Sequence, residues 1–306
     1  MHKPFWRVVQ IVLGLATVVF VVWYVGDNWD DVRQARMAWR FSPLHLLAAI
    51  GVVWLVFAIQ AEAWRRMVAA WGNSLEWFPG ASIWLLSSMA KYIPGKVWAL
   101  ASMAVMSERR GIPVWAATSS AVILQILSVG TGALVVAGTG LTVLHPAQPL
   151  GKAALALLAL GSLGITVLVL WPPVTRWLVG RVAPKADLAH IPGLVAVTEG
   201  AVANLLAWVG YGAAFWLIGR GALPQAPLGL VESIGAFAGS YVAGMIAPFA
   251  PGGLGVRERV LILMLQDRIG LANAIALAAL GRLVTSVAEV IATVPFLMRA
   301  RESLRG

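Results

Sequence analysis

The stretch "APFAPGGLGVRERVLILML" (residues 247–265) breaks an apolar run with prolines, glycines and the charged triplet Arg257-Glu258-Arg259. Proline lacks a backbone N–H and its ring clashes with the preceding turn, so a helix does not continue unchanged through such a segment. The residues on either side are apolar enough to lie within a membrane. The sequence therefore predicts two short helical arms that are separated by a break.

The composition of the whole chain is that of an integral membrane protein. Hydrophobic residues make up 60% and charged residues 12% of the sequence, and the mean hydropathy is +0.83. In soluble domains about a quarter of the residues are charged. Apolar runs recur along residues 1–306, so we expect a single polytopic membrane domain. The chain has no cysteine, which excludes disulfides and thiol chemistry.

Six charge-poor runs are long enough to cross a bilayer as helices, because about 20 residues span its hydrocarbon core. The first follows a short basic start but lacks a small-residue cleavage site, so we interpret it as a retained helix and not as a signal peptide. The predicted spans are residues 8–26, 42–61, 112–144, 153–171, 200–219 and 271–298.

Two further apolar regions, at about 79–108 and about 232–267, are interrupted by "KYIPGK" (91–96) and "PFAPGG" (248–253). Each arm has about 11–15 residues, roughly 16–23 Å of helix, and about 30 Å of hydrocarbon must be crossed. A re-entrant hairpin, with two half-helices that meet inside the membrane, accommodates such arms. Backbone freed at the break must be buried in protein or line a polar cavity.

The two interrupted regions also resemble each other. "KYIPGKV" (91–97) aligns with "PFAPGGL" (248–254), and each is followed by an acidic residue, an arginine and a glycine before a long helix. The predicted spans between them are odd in number, so the copies enter from opposite faces, as in the inverted repeats of secondary transporters. We expect an all-α integral membrane protein of six transmembrane helices plus two re-entrant helical hairpins arranged as an inverted repeat.

Lysine and arginine in the short loops predict the orientation, because they favour the cytoplasmic side. A cytoplasmic N-terminus places more of these residues inside than outside, and the outer arginines near residues 33–40 are offset by aspartates at 27–31. The sequence predicts that the N-terminus and the C-terminus both face the cytoplasm. The net charge of +10 fits loops that face anionic lipid.

A half-helix that starts at a Pro-Gly break exposes unpaired backbone N–H groups and the positive end of its dipole, which favour phosphate. Both breaks carry basic residues, so two such starts that face a common centre describe an anion site. Alternatively, these charges lie at the water interface. The candidate residues are Lys91, Tyr92, Pro94, Gly95 and Lys96 at the first break and Pro251, Gly252, Gly253, Arg257, Glu258 and Arg259 at the second.

Arg282 and Glu289 lie within the last predicted span, on one face with Thr285. A buried charge in a membrane needs a partner, so we expect Arg282 to contact an acidic group, a carbonyl or water inside the bundle. Glu258 or a lipid phosphate could supply it, and Glu258 could instead pair with a neighbouring arginine or a substrate amine. Structural pairing and transport both remain open as roles for Arg282 and Glu289.

Uncharged polar residues within the predicted spans are ambiguous. Asn204, Trp208 and Tyr211 form an i, i+4, i+7 stripe that either lines a cavity or packs between helices, and Gln125 has the same two interpretations. For catalysis the chain offers little, since its 4 histidines show no metal-ligand spacing and no nucleophile or phosphate-loop motif occurs. We expect no enzyme activity, cofactor, metal or nucleic-acid partner.

"KYIPGKVW" (91–98) and "APGGLGVRERVL" (250–261), in this order within a polytopic chain, resemble the transmembrane family of lysylphosphatidylglycerol synthases, the flippase part of these bacterial proteins. The signature residues are Pro251, Gly252, Gly253, Gly255, Arg257 and Glu258. The resemblance implies translocation of a phospholipid or polyprenyl-linked lipid across the bacterial inner membrane.

Bifunctional members of that family also have an aminoacyl-transferase domain, and this sequence ends at Gly306, so we expect a stand-alone member whose cargo need not be lysylphosphatidylglycerol. The cargo class is an anionic or aminoacylated lipid. A non-transporting partner or scaffold of an envelope-lipid enzyme is the alternative function, and an intramembrane lipid-modifying enzyme is a third. The oligomeric state is not predicted by the sequence.

Overall fold

The computed structural model describes residues 39–92, 97–143, 192–247 and 251–302, together with Gly26 and scattered positions between 160 and 181. The first four ranges form eight α-helices and two short 3-10 turns, and no strand occurs in them. The helices are α1 (Pro43–Ala69), α2 (Trp77–Ser88), α3 (Trp98–Glu108), α4 (Val114–Val143), α5 (Leu194–Ala222), α6 (Leu230–Ile246), α7 (Val256–Ile269) and α8 (Leu271–Glu302).

Four of these helices, α1, α4, α5 and α8, are long and apolar enough to cross a membrane. They confirm four of the predicted spans as helices. Of the other two predicted spans, 8–26 lies outside the described residues apart from Gly26, and 153–171 is described only at scattered positions. The described part of the chain is thus an all-helical, multi-pass membrane bundle.

Helix α1 continues eight residues beyond its predicted end at residue 61 because the charges there pair along the helix. Arg65 Nε lies 2.7 Å and Arg66 Nε 2.8 Å from the Glu62 carboxylate, at i+3 and i+4 spacing. Such pairs stabilise a helix that leaves the apolar region. Arg66 Nη1 also lies 3.4 Å from Glu199 Oε1 of α5, so α1 ends where α5 begins.

The other four helices are short and form two consecutive pairs, α2 with α3 and α6 with α7. They have 12, 11, 17 and 14 residues, which correspond to about 16–26 Å of helix at 1.5 Å per residue. Both predicted interruptions are confirmed as breaks in the helices. The 3-10 turns Met89–Tyr92 and Pro251–Gly253 follow α2 and precede α7.

Glycines make the second break possible. Gly252, Gly253 and Gly255 have φ values of 57°, 72° and 80°, in the left-handed region that costs other residues about 1–2 kcal/mol each. Three such values within four positions let the chain turn tightly immediately before α7 begins at Val256. The predicted break therefore arises from the backbone conformations of these glycines as well as from proline.

The first pair, α2 and α3, is anchored at the end of the bundle where α1 ends. Arg65 Nη1 donates to Leu75 O at 3.1 Å, immediately before α2 begins. Trp64 Nε1 donates to Ala117 O at 3.2 Å and Trp71 Nε1 to Ser120 Oγ at 3.1 Å, so the start of α4, which follows α3, lies at this end too.

The second pair, α6 and α7, is anchored at the opposite end. Arg268 Nη1 near the end of α7 lies 3.3 Å from Glu232 Oε1 in the first turn of α6. Helix α6 follows a short connection from the end of α5, where Arg40 N donates to Ala222 O at 3.1 Å. Each pair therefore starts and finishes at the same end of the bundle, and the two pairs lie at opposite ends.

Close packing of glycines holds α1, α5 and α6 together. A Cβ at Gly210 of α5 would meet the side chain of Val56 in α1, and a Cβ at Gly212 would meet the backbone of Ile234 in α6. Small residues at such contacts are typical of membrane helices, which gain little from hydrophobic exclusion and depend on close approach. This packing fixes the helices that surround the two breaks.

Candidate functional site

The turns beside the two breaks contact each other, Met89–Tyr92 against Pro251–Gly253. The prediction that the breaks approach each other is confirmed for these described residues. Pro94, Gly95 and Lys96, which were predicted as site residues at the first break, lie outside the described residues. The second break is described from Pro251 onward.

A cavity of about 480 Å³ lies where the breaks meet, within the range of small-molecule sites. Charged groups in its lining come from the first break, the start of α7 and the last helix, namely Lys91, Arg257 and Glu289. Two cations and one anion leave the described lining with a formal charge of +1. Uncharged polar residues complete its polar lining: Gln60, Ser87, Ser88, Gln125, Ser128, Tyr211 and Tyr241.

Lys91 and Glu289 form an ion pair across the cavity wall. Lys91 Nζ lies 2.6 Å from Glu289 Oε1, which also accepts a hydrogen bond from Ser88 Oγ at 3.4 Å. The Glu289 side chain is 6% exposed and that of Lys91 is 32% exposed. The pair thus joins the first break to α8, and the lysine is its more accessible member.

Arg257 lies against aromatic rings and between two glycines. Its guanidinium carbon is 3.9 Å from the centroid of the Tyr241 ring and 5.5 Å from that of Phe237, which is cation–π geometry. A Cβ at Gly244 or at Gly253 would collide with the Cγ and Cδ atoms of Arg257. Because these glycines have no side chain, a channel stays open between them, and the Arg257 side chain passes through it to the cavity.

Glu258 does not belong to the described lining of the main cavity and is 3% exposed. Its Oε2 accepts the Gly255 N–H at 2.8 Å, and its Oε1 lies 3.7 Å from Arg282 Nη1. Glu258 therefore stabilises the first turn of α7 and neutralises a buried arginine. Of the predicted partners, the structure assigns Arg282 to this carboxylate, and the positive end of α7 already has an anion at its first turn.

Arg282 ties α8 to the second break. Its Nη1 donates to Gly252 O at 3.1 Å and lies near Glu258, and the residue is 4% exposed. The prediction that Arg282 has a carbonyl or acidic partner inside the bundle is confirmed, with one of each. A small cavity of about 20 Å³ lies among Lys91, Arg257, Arg282 and Glu289, room for about one water molecule.

Arg259 is separated from the other predicted site residues. It is exposed on α7 and does not belong to the described lining of the main cavity. Residues two apart on a helix do not share a face, so Arg257 and Arg259 point in different directions. The structure thus brings Lys91, Gly252, Gly253, Arg257 and Glu289 to the cavity and leaves Arg259 outside it.

The polar stripe on α5 has mixed roles. Tyr211 lines the main cavity, whereas Trp208 is buried and donates to Ser128 O at 3.1 Å. Sequence reasoning missed Gln60 and Tyr241, which also line the cavity. Gln60 is a polar residue inside a predicted span and could have been noticed, but the sequence shows no signal that places Tyr241 beneath Arg257.

Within the ranges that the structure describes, no three His, Asp or Glu side chains converge as metal ligands would.

A comparison with protein families matches residues 11–292 to the lysylphosphatidylglycerol synthase TM region. No curated protein matches the chain. The match covers nearly all of the sequence, including both breaks, the cavity and the long apolar helices. By this match the chain belongs to the lysylphosphatidylglycerol synthase transmembrane-region family, as a multi-pass membrane protein.

Proposed function

We propose that this protein moves a lipid with a phosphate-bearing headgroup between the leaflets of the bacterial inner membrane. The observation that carries the proposal is the cavity where the two breaks meet, with Lys91 and Arg257 in its lining. A guanidinium and an ammonium are the side chains that bind phosphate best. The family supports the assignment to a membrane and to lipid.

The architecture that we propose has six transmembrane helices and two re-entrant hairpins, α2–α3 and α6–α7, arranged as an inverted repeat. Support comes from the short arms, from the anchoring of the pairs at opposite ends and from the contact between their turns. Such half-helices form substrate sites near the midplane in many transporters. The N-terminus and the C-terminus then face the cytoplasm, on the side of Arg66 and Glu199.

In this mechanism the headgroup enters the cavity while the acyl chains remain in lipid. The phosphate binds Arg257, whose ring partners are uncharged, and competes with Glu289 for Lys91. Glu289 holds the lysine when cargo is absent, which limits how tightly phosphate is bound. Moderate affinity is required, because a headgroup bound tightly at one position would not proceed to the other leaflet. We propose an envelope-lipid biosynthetic enzyme as a partner in this scheme.

The test is leaflet-resolved movement of a labelled anionic phospholipid in proteoliposomes. Arg257→Ala should slow it by about tenfold or more, since a charge-assisted hydrogen bond contributes about 1.5–3 kcal/mol. Arg257→Lys should recover part of the rate, because an ammonium lacks the bidentate fork. Arg259→Ala is the matched control, with the same change two positions away on the exposed face.

Melting temperature is followed in the same preparations. If the transbilayer rate in proteoliposomes does not exceed that in protein-free liposomes, the transport function is wrong and the scaffold alternative is favoured. Equal rates for Arg257→Ala and Arg259→Ala would remove Arg257 from the transport site. A loss that follows unfolding alone would assign the glycine signature a structural role.

A further inference from the structure

A second, smaller cavity of about 80 Å³ adjoins the main one and has a different chemistry. The side-chain amides of Gln60, Gln125 and Asn204 line it, from α1, α4 and α5, and no charged residue belongs to its described lining. Gln60 and Gln125 also line the main cavity, as does Trp84. A group bound here would thus be continuous with one bound beside Lys91 and Arg257.

Hydrogen bonds fix the orientation of Asn204, which is 6% exposed. Its Nδ2 donates to Gly200 O at 2.9 Å and to Leu124 O at 3.4 Å. Carbonyl oxygens only accept, so the amide nitrogen must be on their side. The Asn204 Oδ1 acceptor therefore remains for the cavity that the residue lines. A hydrogen-bond donor of a ligand in this cavity can bind that oxygen.

Gln60 and Gln125 add donors and acceptors. Tyr211 donates its hydroxyl to Gln60 Oε1 at 3.1 Å, which leaves the Gln60 Nε2 donors for other partners. Gln125 is exposed to the cavities and makes no hydrogen bond within the described protein. Each amide offers both a donor and an acceptor, and a hydroxyl is the ligand group that also does both. An ammonium ion only donates and the oxygens of an ionised phosphate accept, so neither would pair with both the donors and the acceptors of these amides.

The size of the cavity agrees with this chemistry. A volume of about 80 Å³ is between two and three times the roughly 30 Å³ that one water occupies in the liquid. A cavity of this size holds a few heavy atoms with their hydroxyls and is too small for an acyl chain. The ring of Trp84 supplies an apolar surface against which the carbon atoms of such a group can pack.

We propose that the amide cavity of Gln60, Gln125 and Asn204 binds the uncharged, hydroxyl-bearing part of a lipid headgroup whose phosphate lies at Lys91 and Arg257. The cargo is then a phospholipid with a polyol or sugar beyond the phosphate, in preference to a bare phosphate or an amine. This assignment rests on the proposed function, because it extends the same site.

The test compares three probes with identical acyl chains: phosphatidylglycerol, phosphatidic acid and phosphatidylethanolamine. Lipid binding to the detergent-solubilised protein is measured by native mass spectrometry, and transbilayer rates are measured in proteoliposomes. Phosphatidylglycerol should bind and move faster than the other two by about two- to tenfold, which is the effect of one or two hydrogen bonds of about 0.5–1.5 kcal/mol.

Gln125→Leu is the deciding variant, because Gln125 makes no hydrogen bond within the described protein that its loss could disturb. It should reduce phosphatidylglycerol binding and movement to the level of phosphatidic acid and leave phosphatidic acid unchanged. Gln266→Leu makes the same change on α7, outside the described linings of both cavities, and should retain the preference.

Equal binding of the three lipids by the unsubstituted protein would overturn the inference. An equal decrease for all three in Gln125→Leu would also overturn it, and would assign the amides to a water path or to packing. If no lipid moves but the binding preference and its loss in Gln125→Leu are observed, the amide subsite stands and the transport function does not.

Discussion

Lys91 Nζ lies 2.6 Å from Glu289 Oε1, and this pair connects the turn after α2 to the last helix. Two helical turns earlier on α8, Arg282 lies 3.7 Å from Glu258 of α7. Positions 282 and 289 share one face of the helix. Helix α8 thus supplies Glu289 as the partner of Lys91 in the first broken region and Arg282 as the partner of Glu258 in the second. These two pairs position both turns at the cavity.

The Lys91–Glu289 pair is predicted to couple the stabilities of its two members. Lys91→Met leaves the carboxylate of Glu289 buried without its cation, and should lower stability more than Lys91→Met combined with Glu289→Gln. The coupling expected for contacting residues is about 0.5–3 kcal/mol. Denaturation in mixed micelles of the two single variants and the double variant measures it. Additive losses would show that the two side chains do not depend on each other.

Glu258→Gln is predicted to destabilise the protein and to affect all lipids equally. Glutamine keeps an acceptor for the Gly255 N–H but removes the charge that faces buried Arg282, a loss of about 1–3 kcal/mol. Of the alternatives that the sequence leaves open for Glu258, this outcome would favour the pairing with Arg282 over the pairing with a substrate amine. The assays are thermal unfolding and the transport of amine-bearing and amine-free lipids. Glu199→Gln, at a more exposed ion pair, is the control, and a selective loss for amine lipids would contradict the structural role.

The sequence predicts the features that arise from local chemistry. The breaks follow from proline and glycine, and the demand of Arg282 for a partner follows from the cost of burying a charge. The sequence also predicts the capping role of Glu258, because a carboxylate three residues after Gly255 has the spacing of a capping box. Helical geometry alone separates Arg257 from Arg259. Local sequence spacing thus specifies both features.

Other features depend on packing that a single sequence does not specify. Glu289 meets Lys91 because α8 crosses α2, and the two residues are far apart in the chain. The Tyr241 ring lies under Arg257 only because α6 and α7 fold back on each other. Asn204 reaches the amide cavity by the contact between α4 and α5. The charged residues of the site are thus easier to predict from the sequence than its uncharged residues.

Cysteine labelling is predicted to place the two pairs of short helices at opposite faces of the membrane. The chain has no native cysteine, so single cysteines can be introduced without a background. Glu76→Cys and Arg110→Cys, at the start of α2 and after α3, should react from the cytoplasmic side. Arg220→Cys and Asp267→Cys should react from the outside. All four positions are exposed. Labelling of all four from one face would contradict the inverted arrangement.

Gly244→Ala is predicted to displace Arg257 from the Tyr241 ring. The added Cβ would collide with Arg257 Cγ, would lie 3.1 Å from Cδ and would come within 3.2 Å of Gly253 Cα. Overpacking of this kind costs about 1–3 kcal/mol. The arginine can avoid the collision only by leaving its channel, so transport should fall together with stability. Gly138→Ala is the matched control, because a Cβ there meets nothing within 4 Å and alanine favours the helix.

A double variant separates the two effects of Gly244→Ala. In Gly244→Ala with Arg257→Ala the colliding Cγ and Cδ atoms are absent, so most of the lost stability should return. Transport should stay as low as in Arg257→Ala alone, because the cation that binds phosphate is missing. Melting temperature and transbilayer lipid rates are measured for both single variants and the double variant. If the double variant is less stable than Gly244→Ala alone, the collision with Arg257 is not the cause, and the contact of Gly244 with Gly253 is the limiting one.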